Sequence, residues 1–125
     1  MAAVHGSCLC GGITVEIHGK PDTVMQCYCD HCQMNASAPF QIVAKYDKSQ
    51  VIVQTGEDLV KHYIVTNTAS GQPKHKVFCS SCGCTLWTIP MKYGDANRFV
   101  RVSLIEDGLK NLKPDQVLFG ERKDT

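Results

Sequence analysis

The chain has little that would take it to a membrane or a nucleic acid. No window approaches the roughly 18 consecutive apolar residues of a membrane-spanning helix, and the start, Met1 to Cys8, carries neither the basic segment nor the apolar run of a secretory leader. A soluble, cytoplasmic protein is the expectation. An excess of one charge sign is also missing: 13 Lys and Arg face 12 Asp and Glu, for a net charge of +1. Neither a phosphate backbone nor an anionic lipid surface is then a favoured partner. There is no repeat of useful length, no low-complexity tract and no long amphipathic helix, which leaves a β-dominated domain with short loops as the natural class. At 125 residues the chain is expected to form one domain, residues 1–125, whose modest core would gain from metal cross-links.

What the chain has in abundance is cysteine, 8 in all. Disulfides are rare where glutathione and thioredoxin keep thiols reduced, so this load argues for metal ligation, with zinc the first choice. The densest group is Cys27-Tyr28-Cys29-Asp30-His31-Cys32, three thiols too close together to be spaced as ordinary core residues.

Around the cysteines the pattern is one of short strands. Ile13, Val15 and Ile17 alternate with Thr14 and Glu16, the period of a half-buried strand, and Gly19 to Asp22 ends it. Met25 to Cys29 reads as a second strand that delivers the first thiols of the triple cluster. His31 to Ala38 supports no more than a short helical turn or a loop. Gln41 to Tyr46, Gln50 to Thr55 and Leu59 to Thr66 are rich in Val, Ile and Tyr with turn formers between them, and read as a three-stranded meander. Asn67 to Lys74 reads as an exposed loop, His75 to Phe78 as a strand running into Cys79-Ser80-Ser81-Cys82-Gly83-Cys84, and Thr85 to Ile89, Arg98 to Leu104 and Val117 to Phe119 as further strands. The charged tail from Gly120 to Thr125 is expected to fray.

Tetrahedral zinc needs four ligands, and sequence-local pairs each supply half of a site. Cys8 with Cys10, and Cys79 with Cys82, are two such pairs; joined across the fold they make a four-thiolate structural site. Gly83 can take the positive φ that the Cys79 to Cys82 knuckle requires. Cys27, Cys29 and Cys32 then remain as a three-thiolate set, and three protein ligands with a fourth position left over distinguish a catalytic zinc from a structural one. Three thiolates donate so much charge that the ion becomes a poor generator of hydroxide, yet a good seat for a fourth sulfur that must stay nucleophilic. The chemistry suggested is the making or breaking of a carbon–sulfur bond on a thiol substrate. The alternative is that Cys84 closes this second site as well, which would turn it into inert scaffolding; otherwise Cys84 is a small buried hydrophobe.

The order Cys8-Leu9-Cys10-Gly11, then Cys27, Cys29 and Cys32, then Pro39-Phe40, then Cys79, Cys82 and Gly83 with Leu86-Trp87 following, resembles the glutathione-dependent formaldehyde-activating enzyme family, which includes the centromere protein V domain. The match runs over nearly the whole chain. The resemblance implies a β-tent fold of several short antiparallel sheets stapled by zinc, with two zinc ions per chain. It implies a structural zinc at Cys8, Cys10, Cys79 and Cys82 and a catalytic zinc at Cys27, Cys29 and Cys32. It also implies a carbon–sulfur lyase of the kind that condenses glutathione with formaldehyde to S-(hydroxymethyl)glutathione, with glutathione or one of its adducts as ligand. A cysteine at position 84 departs from many relatives. Non-catalytic readings stand beside the enzyme: a zinc-stapled protein-interaction module, or a metal-dependent chaperone-like protein of the same fold.

Within the triple cluster, His31 could serve as a base for an incoming thiol or replace a sulfur as ligand, although a half-exposed loop histidine is the commoner case. Tyr28, Phe40 and Trp87 are candidates for a substrate-pocket wall, although single aromatics beside strands are more commonly core; Phe40 alone gains from the resemblance. His5, His18, His62 and His75 are scattered and nothing in the sequence groups them. Lys45, Lys61, Lys74 and Lys76 could meet the carboxylates of glutathione, with a solvated face as the default.

Overall fold

A computed structural model describes residues 3–122, so the last three positions of the charged tail lie outside it; Gly120–Arg122 form a single 3-10 turn. The strands are β1 (Val4–Ser7), β2 (Thr14–Ile17), β3 (Thr23–Cys27), β4 (Gln41–Asp47), β5 (Val51–Thr55), β6 (Val60–Val65), β7 (Lys74–Cys79), β8 (Thr85–Pro90), β9 (Lys92–Asp95), β10 (Asn97–Arg101) and β11 (Gln116–Leu118). Two short helices, α1 (Asp30–Ala36) and α2 (Gly108–Asn111), interrupt them. The chain is mainly β. β1, β2 and β5 form a three-stranded sheet; a seven-stranded sheet runs β11-β3-β4-β10-β8-β7-β6. Every pairing is antiparallel except that of β11 with β3.

Strand alternation divides the large sheet into two faces, and register carries each face across it. Val24 lies opposite Ala44, Ala44 opposite Val100, Val100 opposite Trp87, and Trp87 opposite Val77. All five are buried, and they form one transverse row against which Val15 and Ile17 of β2 and Ile13 beside it close the core. The other face carries Cys27 opposite Gln41, Met25 opposite Val43, Lys45 opposite Phe99, and Phe99 opposite Thr88. That face holds the cavity described below.

The expected meander does not form. β4 lies between β3 and β10, β5 crosses to the small sheet, and β6 becomes the far edge of the large one. The reason is burial: Val51 lies opposite Ile17 and Val53 opposite Val15, so pairing β5 with β2 brings Val51 and Val53 against the common core, which pairing with β4 would not do. The segment read as a strand from Arg98 to Leu104 ends at Arg101. It turns into a 3-10 helix over Val102–Leu104 whose valine and leucine are buried, and Ile105 then bridges to Gly6 of β1. The backbones approach so closely there that a Cβ on Gly6 would sit 2.7 Å from the Leu104 carbonyl oxygen. β1 and β9 gave no periodic signal; both are four residues long and nearly all exposed.

Candidate metal centres and cavity

The sulfurs of Cys8, Cys10, Cys79 and Cys82 converge to within 4.8 Å of one another. Two of the separations are 3.6 Å (Cys8 to Cys10) and 3.8 Å (Cys10 to Cys79). Zinc about 2.3 Å from each of four tetrahedral sulfurs would set them roughly 3.8 Å apart, so the donor set fits that ion without rearrangement. Local backbone geometry builds each half. After β1 the chain turns back on itself, with the Cys8 N–H on the Ile13 carbonyl and the Gly11 N–H on the Cys8 carbonyl, while the Ile13 and Gly12 N–H groups point at the Cys8 and Cys10 sulfurs. At the end of β7 the Gly83 N–H bonds the Cys79 carbonyl, with Gly83 at φ +78°. The backbone N–H groups of Cys84 and then Cys10 hold the Cys82 thiol down at about 6, an arrangement suited to a metal-ligating thiolate.

Cys27, Cys29 and Cys32 form the second group, also within 4.8 Å, and no other His, Cys, Asp or Glu among the described residues joins it. Cys27 is the last residue of β3, Cys29 is the N-cap of α1, and Cys32 stands in the first turn of that helix. The segment that allowed only a turn or a loop thus becomes a true helix. The Cys29 sulfur accepts the Cys32 N–H, and Ser37 ends the helix in a left-handed conformation. Contact with Cys27 and then Cys32 drives the Cys29 thiol far down, whereas contact with Cys27 and then Cys29 drives Cys32 up. Three sulfurs this close cannot all ionise unaided, and a bound cation is what would let them. Gln41 Nε2 donates to the Cys32 sulfur at 2.8 Å, and the Gln41 Oε1 is buried without a partner.

This group opens onto a cavity of about 420 Å³. Its sheet face is Met25, Gln41, Val43, Thr88 and Phe99; His31 and Asn35 of α1 form one side, and residues 67–70 with Gln72 form another. The loop expected to be merely exposed is therefore a wall. Lys74 sits close enough to Cys29 to favour its thiolate. Farther from the sulfurs, Tyr93 and Phe99 stack with ring centroids 6.1 Å apart and Lys45 Nζ lies 4.6 Å from the Tyr93 centroid. Of the aromatics singled out from the sequence, Trp87 is in the core on the opposite face, 5% exposed. Tyr28 and Phe40 pack on each other with centroids 5.3 Å apart, outside the cavity lining.

Cys84 stands apart from both groups: its sulfur lies 3.7 Å from the Thr85 carbonyl oxygen, and it packs against the core. The histidines that looked scattered are grouped by the fold. His5 and His18 flank Glu16 at 3.3 and 2.6 Å, and His62 meets His75 with 2.9 Å between their Nδ1 atoms. Sequence reasoning passed over Gln41 altogether. Its only trace was a polar residue in phase with Val43, and seeing that it meets Cys32 requires the β3 to β4 register.

Among the described residues no helix is long and apolar enough to cross a membrane. The chain is 26% identical over 125 residues to a protein of Schizosaccharomyces pombe named as an uncharacterized lyase, covering 99% of this chain and 84% of that one. Its fold is similar to that of a Rhodobacter sphaeroides protein solved by crystallography, with a TM-score of 0.63 at 18% identity, over 90% of this chain and 98% of the other. The model of the family described as glutathione-dependent formaldehyde-activating enzyme matches residues 3–122, and with that span of agreement the chain belongs to this family.

Proposed function

We propose that the protein is a zinc-dependent carbon–sulfur lyase of the cytoplasm. It would join glutathione to a small electrophilic carbon, or release it, as in the formation of S-(hydroxymethyl)glutathione from glutathione and formaldehyde. The observation that carries this reading is a set of three sulfurs, with no fourth ligand residue joining them among the described residues, on a cavity of about 420 Å³. Family membership and a relative named as a lyase support it. Cys8, Cys10, Cys79 and Cys82 would hold one zinc as a brace, and Cys27, Cys29 and Cys32 the other. Held by three thiolates, zinc supplies a Lewis-acidic seat at which a substrate sulfur stays ionised and nucleophilic.

The chain's own residues do the rest. Lys74, beside Cys29, offers a positive charge to a carboxylate of the peptide thiol. His31, on the cavity wall, is the candidate to take the thiol proton and return it to the carbonyl oxygen. In the forward direction the S–H bond breaks and a C–S bond forms. The carbonyl π pair becomes an oxygen lone pair that receives the proton. The reverse step undoes each change, and no electrons are left over. Met25, Val43 and Phe99 give the cavity an apolar floor, which orients the adduct by excluding water around the reacting carbon.

Zinc-loaded protein, mixed with glutathione and formaldehyde and followed by NMR, should form the adduct faster than the uncatalysed mixture. Cys29→Ser should keep the circular dichroism spectrum and one zinc while turnover falls to background. Undiminished turnover in Cys29→Ser, or two bound ions indifferent to glutathione, would sink the enzyme and favour the interaction module.

A further inference from the structure

On the same face of the large sheet as the three sulfurs stands a cation that the chemistry above does not use. Arg101 ends β10 opposite Val43 of β4, which places it on the same face of the sheet as Cys27 and Gln41; it is half-buried and does not line the cavity. Its Nη2 is buried with no hydrogen-bond partner among the described residues. The acidic groups whose charge reaches it are Cys32 and Cys84. A guanidinium taken out of water is costly unless an anion faces it, and it does not shed its proton at any physiological pH. The second unpartnered buried polar atom is Gln41 Oε1, on the side chain whose Nε2 donates to Cys32. The two unpartnered buried side-chain polar atoms of the described residues therefore belong to Gln41, which donates to the Cys32 sulfur, and to Arg101, on which the charge of that sulfur acts.

We infer that Arg101, seconded by Gln41, is a positioning residue that offsets the negative charge of the three-cysteine centre through Cys32, so that a substrate thiolate can join it. Three thiolates around a divalent ion carry excess negative charge, and an incoming thiolate adds more. An arginine outside the cavity lining draws charge away from that approach without competing for the ligand position, and the Gln41 N–H holds the Cys32 sulfur in its orientation. The inference rests on the reading that this centre holds a metal and binds a thiol.

The test uses protein in which cobalt(II) replaces zinc at both centres, because thiolate-to-cobalt absorption reports each site without turnover. Arg101→Met should keep the signal of the four-cysteine centre, which serves as the folding control. It should weaken glutathione binding, read from the spectral change on titration, by about 10- to 100-fold, and let a chelator remove the second cobalt more readily by a similar factor. Arg101→Lys should recover most of both. Where Arg101→Met does not fold, Arg101→Gln, which keeps a polar tip without the charge, takes its place. Spectra and glutathione affinities that superpose on the wild type in the uncharged variant, or an Arg101→Lys no better than it, overturn the role of Arg101 while leaving the thiol-binding centre intact. A wild-type protein that takes up one cobalt and ignores glutathione overturns both together.

Discussion

Gly56 shows how tightly single positions are held around the four-cysteine group. It sits at φ +82°, and a Cβ there would come within 2.1 Å of the Gly12 carbonyl oxygen, in the turn just after Cys10. Alanine would meet two costs, about 1–2 kcal/mol for the left-handed backbone and a backbone clash that must push the Cys8 to Gly12 turn aside. Gly71 has nearly the same φ, +79°, but open space around it. Gly56→Ala is therefore expected to destabilise by at least about 2 kcal/mol and Gly71→Ala by about 1 kcal/mol. Thermal unfolding of the two variants side by side measures the difference, and equal midpoints would show that the Gly12 contact relaxes at little cost. The spacing of Cys8 and Cys10 was legible as a metal-binding turn. That Gly56, far along the chain, has to be glycine because of Gly12 was not, since only the folded chain brings them together.

β6 and β7 show what pairing adds to elements whose existence was legible. Both were readable from their Val, Ile and Phe content, but the edge position of β6 and the meeting of His62 with His75 follow from the register. Burial, then the nearby His75 and Arg98, lowers the His62 pKa from its ordinary 6.5. A base with a depressed folded value binds fewer protons folded than unfolded, so stability is full above about 6.5 and falls as the pH drops through and below it. Acidification through that window should loosen the β6 edge first, seen as faster amide exchange in β6 than in β4. His62→Gln should flatten this pH dependence; an unchanged profile in that variant would assign it to another group.

Taken whole, the described residues form two sheets closed on one core, with the four-cysteine group joining the β1 to β2 turn to the end of β7, where a bound zinc would act as a clamp. Cys79 is fully buried at that clamp. Structural zinc contributes about 10–16 kcal/mol in small peptide domains, as much as the whole stability of an ordinary domain, about 5–15 kcal/mol. Cys79→Ser or exhaustive chelation is thus expected to abolish cooperative folding, whereas Cys29→Ser, on the cavity side of the large sheet, is expected to melt within a few degrees of wild type. Circular dichroism melts of the two variants separate these outcomes, and a cooperative Cys79→Ser melt near that of the wild type would show that the clamp is dispensable.

From the sequence alone came the division of the cysteines into local pairs and a triple. Thiols two or three residues apart must end near one another whatever the fold does, and glycine beside them permits the turn. Strand alternation was equally local, so most strands were legible. Which strands become neighbours was not: β5 left the expected meander for β2, β11 joined β3 in parallel, and Trp87 turned to the core. Burial against the common apolar row makes the choice for β5 and Trp87, whereas β11 is mostly exposed. The same registers bring Gln41 to Cys32 and Arg101 to the same sheet face, placements for which no spacing along the chain could have given a sign.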